Sequence, residues 1–169
     1  MNHARLILAG WLVLNLAGGT PVATAQERIN GNHRTILETV VAGDVDVPTL
    51  RAALEVLPRR PMRIDVVDDR SLSGTTLKQV AEMDAFVPIG TQTIYLRRQS
   101  RTLREAEYAG GPARLMLALV IWHEMAHIEG LDEYGARRRE EELWSEFIRS
   151  GRVDESIGLA YLRQLQARE

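Results

Sequence analysis

At 169 residues the chain has room for one domain, and its net charge of −2 lacks the basic excess that a nucleic-acid partner calls for. It contains no cysteine, which excludes disulfides, thiolate chemistry and cysteine-type zinc sites. Any bound metal must therefore be held by His, Asp and Glu.

The chain opens with MNHARLILAGWLVLNLAGGTPVATA, in which Arg5 precedes an apolar run from Leu6 to Ala17 broken by Asn15, and Ala23-Thr24-Ala25 precedes Gln26. That is the layout of a cleaved secretory signal. The run falls short of the ~20 residues that a spanning helix needs. The expectation is a signal peptide over 1–25 and a single domain over 26–169, exported to the periplasm or secreted, and free of the membrane after cleavage. Residues 26–33 read as a loose lead-in.

From Arg34 to Val41, Ile36, Leu37, Val40 and Val41 recur at helical spacing, which predicts a first helix ended by Gly43. Pro48 suits the start of a second helix reaching Leu57, with Leu50, Ala53, Leu54 and Leu57 on one face, and Pro58 and Pro61 stop it. Met62 to Asp68 alternates apolar and polar residues and predicts a half-buried strand, and Thr91 to Arg98 predicts a second. Between them, Leu77, Val80 and Ala81 suit a short helix, and Val87-Pro88-Ile89-Gly90 a turn. Thr102-Leu-Arg-Glu105 reads as a capping box opening a helix that Gly110-Gly111 ends. Pro112 then starts the longest apolar element, Ala113 to Glu129, stopped by Gly130. A further helix runs from near Glu133 to Arg149, where Trp144, Phe147 and Ile148 share a core face, and Gly151 ends it. Asp154 to Arg168 predicts a last amphipathic helix. Helices at both ends around a small sheet give an α+β fold.

The chemistry concentrates in Trp122–Gly135, WHEMAHIEGLDEYG, which holds two of the four histidines. On a helix, His123 and His127 lie one above the other and can aim both imidazoles at one ion, with Glu124 at the neighbouring edge. Zinc takes neutral imidazoles, and a catalytic zinc leaves a position to water. A carboxylate beside that water can accept its proton and pass it to a leaving amine. The preceding run Leu115 to Trp122 buries this helix, as a water-excluding site requires.

His123 to Glu133 resembles the active-site helix of the zincin metallopeptidases, in the form H-E-x-x-H-x-x-G-x-x-E, with a looser likeness over residues 86–150. The resemblance implies a small zincin-like domain: a short β-sheet on a long active-site helix, Zn²⁺ on His123 and His127, and Glu124 as general base. It also implies a strand upstream that lies antiparallel to bound substrate, for which TQTIYLRR (91–98) is the candidate. The third ligand falls on Glu133 in both the metzincin-like and the gluzincin-like pattern. Asp132 and the Glu140, Glu141, Glu142 cluster are the alternatives, although that cluster also suits a salt-bridged solvent face behind Arg137–Arg139. Two departures stand out: Glu129, where the longer consensus prefers an apolar residue, and the small size of the domain. Tyr134 beside the site is a candidate oxyanion donor, with core packing as the more ordinary role for a tyrosine, and Trp122 reads as core.

The function expected is an exported zinc-dependent hydrolase, most simply a peptidase acting on a peptide or protein substrate. The alternatives are an exported metal-binding protein without catalysis and a metal-free helical interaction domain. Sequence says nothing of oligomeric state.

Overall fold

The structure, a computed structural model, describes residues 33–166; the expected leader over 1–25 lies outside the described residues. The first elements correct the expected helix over Arg34–Val41. Strands β1 (Arg34–Ile36) and β2 (Thr39–Ala42) form an antiparallel hairpin with Ile36 opposite Thr39. Its two-residue turn, Leu37-Glu38, holds φ of 50° and 72°, the positive values that a twisted two-residue hairpin loop demands. The β-branched residues Thr35, Ile36, Thr39, Val40 and Val41 prefer an extended chain, and pairing lets Ile36 and Val41 bury while Val40 faces out.

Helix α1 (Val47–Glu55) starts where expected: Asp46 caps it by accepting from Thr49 N at 2.9 Å, and Pro48 stands in its first turn. Strand β3 (Arg63–Val67) runs parallel to β2, and β5 (Thr93–Arg97) runs parallel to β3. Neither is half-buried. Ile64, Val66, Ile94 and Leu96 belong to the main core, while Val67 and Tyr95 join Val80 and Phe86 in a smaller cluster. The alternating polar residues are neutralised in place: buried Asp65 pairs with Arg63, and Arg97 reaches Asp69 and three carbonyl oxygens, those of Val80, Ala81 and Met83.

Those carbonyls cap the stretch 69–90, which resolves into a 3-10 turn, helix α2 (Gly74–Val80) and the short strand β4 (Ala85–Phe86). The sheet order is β1-β2-β3-β5-β4, with β4 antiparallel to β5. This bears on the role expected for TQTIYLRR. Strand β5 is paired with β3 along its length and with β4 at Tyr95 and Leu96, so the edge strand on that side is the short β4.

Helix α3 (Arg101–Ala109) is capped by Ser100, which accepts from Leu103 N, and not by a box at Thr102. Thr102 instead donates its hydroxyl to Asp84 at 2.6 Å, and Glu105 pairs with Arg101. Helix α4 (Gly111–Ile128) is apolar on nearly every side because it is surrounded: it lies beside β4 and β5 and between α1, α3 and α5 (Glu133–Arg149). Helix α6 (Glu155–Gln166) closes the described residues, packed on α5 through Trp144 and Tyr161, whose rings meet edge-on at 4.8 Å. Among the described residues the fold is α+β, a five-stranded mixed sheet with six helices, but the first described elements are a hairpin instead of a helix. No described helix is long and apolar enough to cross a membrane.

Candidate metal centre

The end of α4 and the start of α5 bring the motif together. Gly130, at φ 86°, turns the chain: its N–H bonds His127 O and that of Leu131 bonds Ala126 O, the paired bonds of a Schellman stop. Asp132 then caps α5, accepting from Gly135 N at 2.8 Å. Asp132 serves there as a cap, and the residue grouped with the two histidines is Glu133. The reversal carries Glu133 back over the two histidines.

Nε2 of His123 and Nε2 of His127 are 3.1 Å apart, and Oε2 of Glu133 is 3.5 Å from each. These three ligand atoms lie within 4.8 Å of one another. The outer ring nitrogens fix their character. His127 Nδ1 stands 2.9 Å from Leu131 O, and a carbonyl only accepts, so Nδ1 carries the proton and neutral His127 presents a lone pair at Nε2. His123 Nδ1 faces the Glu140 carboxylate at 3.2 Å, so that whenever His123 is neutral its lone pair too stands at Nε2. Two imidazole nitrogens and one carboxylate oxygen thus converge on one point. Such a convergence is unfavourable unless a positive charge, a proton or a metal ion, stands between them.

The electrostatics follow. Burial disfavours the charged form of His123, yet Glu133 and Glu140 outweigh it and push His123 up to about 9. Partial burial acts to raise Glu133, but His123, His127 and then Arg137 hold its carboxyl well below the usual carboxylate range. Arg137 donates from Nε to Glu133 Oε1 at 2.9 Å, leaving Oε2 for the centre. Each of the three converging side chains is therefore oriented by a partner behind it, the arrangement by which proteins hold metal ligands.

Glu124 is fully buried, and neither carboxylate oxygen has a hydrogen-bond partner among the described residues. Burial pushes its carboxyl up to about 8, offset only in part by His123. An unpartnered buried carboxyl one residue from the converging ligands costs stability and calls for a functional reason.

The remaining candidates sort cleanly. Glu140 is buried but serves the far side of His123, with its other oxygen accepting from Tyr161 at 3.1 Å. Glu142 is an exposed partner of Arg138. Glu140 stands among the ligand alternatives, and Tyr161 lies on the amphipathic helix expected over Asp154 to Arg168. The signal for Glu140 was its spacing: Glu133, Arg137 and Glu140 stand at i, i+4 and i+7, one face of α5. Tyr134 is 59% exposed, which rules out core packing. Trp122 is only half-buried, flanked by the guanidinium groups of Arg59 and Arg139 at 5.6 and 5.9 Å from its ring. Both arginines pair with Glu129, which accounts for a charge where the longer zincin pattern prefers an apolar residue. No protein-family model, curated protein or solved structure matches the chain.

Proposed function

We propose that this is an exported zinc-dependent hydrolase of the zincin kind, acting as a peptidase, with His123, His127 and Glu133 as metal ligands and Glu124 as general base. The observation that carries the reading is the convergence of three potential ligand atoms, those of His123, His127 and Glu133, beside the buried, unpartnered carboxyl of Glu124. The donor set fits zinc, which takes neutral imidazole and carboxylate. Bound Zn²⁺ would supply Lewis acidity and lower the pKa of a water to about 7. Glu124 would take the proton of the attacking water and hand it to the leaving amine nitrogen. Its buried carboxyl favours the neutral form in the metal-free chain, and a cation next to it favours the ionised form that a base requires. Strand β4, the sheet edge beside α4, is where an extended peptide would add through main-chain pairing. Export rests on the layout of residues 1–25.

Metal analysis of the purified chain by mass spectrometry is the first test. One zinc per chain, lost in His127→Ala, is the expected result; no metal after zinc is offered and the excess dialysed away would sink the proposal. Glu124→Gln should keep the zinc and lower peptide hydrolysis by about 10²–10⁴-fold, the range for a lost general base. One observation favours a second reading, metal binding without catalysis: Glu124 has no solvent-exposed surface. That reading holds if the wild-type chain binds zinc but cleaves no member of a diverse peptide library.

A further inference from the structure

Behind His123 the hydrogen bonding continues through α5 into α6. Glu140 uses both oxygens: Oε2 faces His123 Nδ1 at 3.2 Å, and Oε1 accepts from the Tyr161 hydroxyl at 3.1 Å. Tyr161 is itself fixed by α5, its ring edge-on to Trp144, whose Nε1 donates to Gly158 O at 2.8 Å. Gly158 allows the two helices to approach: a Cβ there would stand 2.5 Å from Ile148 Cγ1. A carboxylate on a flexible glutamate stem has several rotamers, and a donor on its far oxygen selects the one that meets the imidazole.

We propose that Tyr161 is a positioning residue for the metal centre, and that α6 is the element that delivers it by holding Glu140 on His123. The proposal rests on the zinc reading above and deepens it. It assigns the C-terminal helix a part in metal affinity, although α6 contributes no ligand.

The test is a double-mutant cycle on the full chain, read as zinc affinity by competition with a chromophoric chelator. Tyr161→Phe keeps the ring on Trp144 and removes only the hydroxyl. Glu140→Gln keeps the shape but exchanges one acceptor oxygen for an N–H₂ donor, so it can no longer accept from both His123 and Tyr161. Glu140→Gln should weaken zinc by about 10–100-fold and Tyr161→Phe by about 3–10-fold, the usual scale for groups behind a ligand. In the Glu140→Gln background, Tyr161→Phe should cost less than about 2-fold, because its effect passes through Glu140. A merely structural tyrosine would lower the melting temperature of the metal-free chain in both backgrounds and leave zinc affinity where it was. Wild-type affinity in Tyr161→Phe, or an equal loss in both backgrounds, overturns the proposal and leaves the zinc reading standing. A wild-type chain that binds no zinc overturns the zinc reading itself and this proposal with it.

Discussion

At the scale of single residues, the proposed centre would set protons against a cation for the same lone pairs. In the metal-free chain His123 rises from an ordinary 6.5 to about 9, and Glu124 from 4.5 to about 8. Both bind protons more tightly folded than unfolded. The His123 contribution is complete below pH 6.5 and lost as the pH climbs through 9; that of Glu124 is complete below 4.5 and lost through 8. Glu133 is shifted the other way, so its contribution is present above 4.5 and lost in acid. The metal-free chain should therefore be most stable at mildly acidic pH and weaken steadily from there to pH 9. Denaturant midpoints measured across pH 4 to 10 in chelator would show this, and a midpoint that is flat or rising between 6.5 and 9 would contradict it. On the proposed function, zinc would have to displace the same protons, so its apparent affinity should climb over the same window.

Elements differ in how plainly their physics is written in the chain. The motif helix was legible because eight apolar residues before His123 leave only a buried helix, and its stop because Gly130 is free to adopt the positive φ of the turn. The hairpin was not: Ile36, Leu37, Val40 and Val41 fit a period of 3.6 as well as a paired strand, and the turn Leu37-Glu38 has no Gly or Asn to announce it. Likewise Ser100 and Thr102 are both good caps, and only the position of Asp84 across the β4–β5 pair decides that Thr102 is otherwise engaged. Histidines one helical turn apart are readable from spacing, whereas Tyr161 meets Glu140 only through the docking of α6 on α5. That docking turns on one residue. Gly158→Ala should gain about 1 kcal/mol of helix propensity, but the new Cβ would stand 2.5 and 2.9 Å from Ile148 Cγ1 and Cδ1 and 3.2 Å from Val153 Cγ1. Overpacking of this kind costs about 1–3 kcal/mol, and the stiff β-branched Ile148 has little freedom to give. We expect a net loss near 1 kcal/mol by urea unfolding; a variant as stable as the wild type would mean that the helices part easily here.

For the molecule as a whole, the question is whether metal builds the fold or merely tightens it. The main core runs through the sheet and α1, α3, α4 and α5, and Leu117, Leu119 and Ile121 are buried in it without help from the ligands. Trp144 and Phe147 hold α5 from the opposite end to Glu133. Unlike a small domain that is unfolded without its zinc, this one has enough buried apolar surface to fold first and present a formed site. Chelator should therefore leave the far-ultraviolet circular dichroism intact while lowering the melting temperature. At zinc one hundred times its dissociation constant, linkage adds about 2.7 kcal/mol, on the order of 10 °C for a domain of this size. His127→Ala should melt at the same temperature with and without zinc. A wild-type chain equally indifferent to zinc and chelator would belong to a metal-free helical domain, and the converging lone pairs would then be satisfied by the proton on His123 alone. Collapse of the helical signal in chelator would say instead that α4 and α5 are brought together by the ion, and that the sheet and its core cannot hold them unaided.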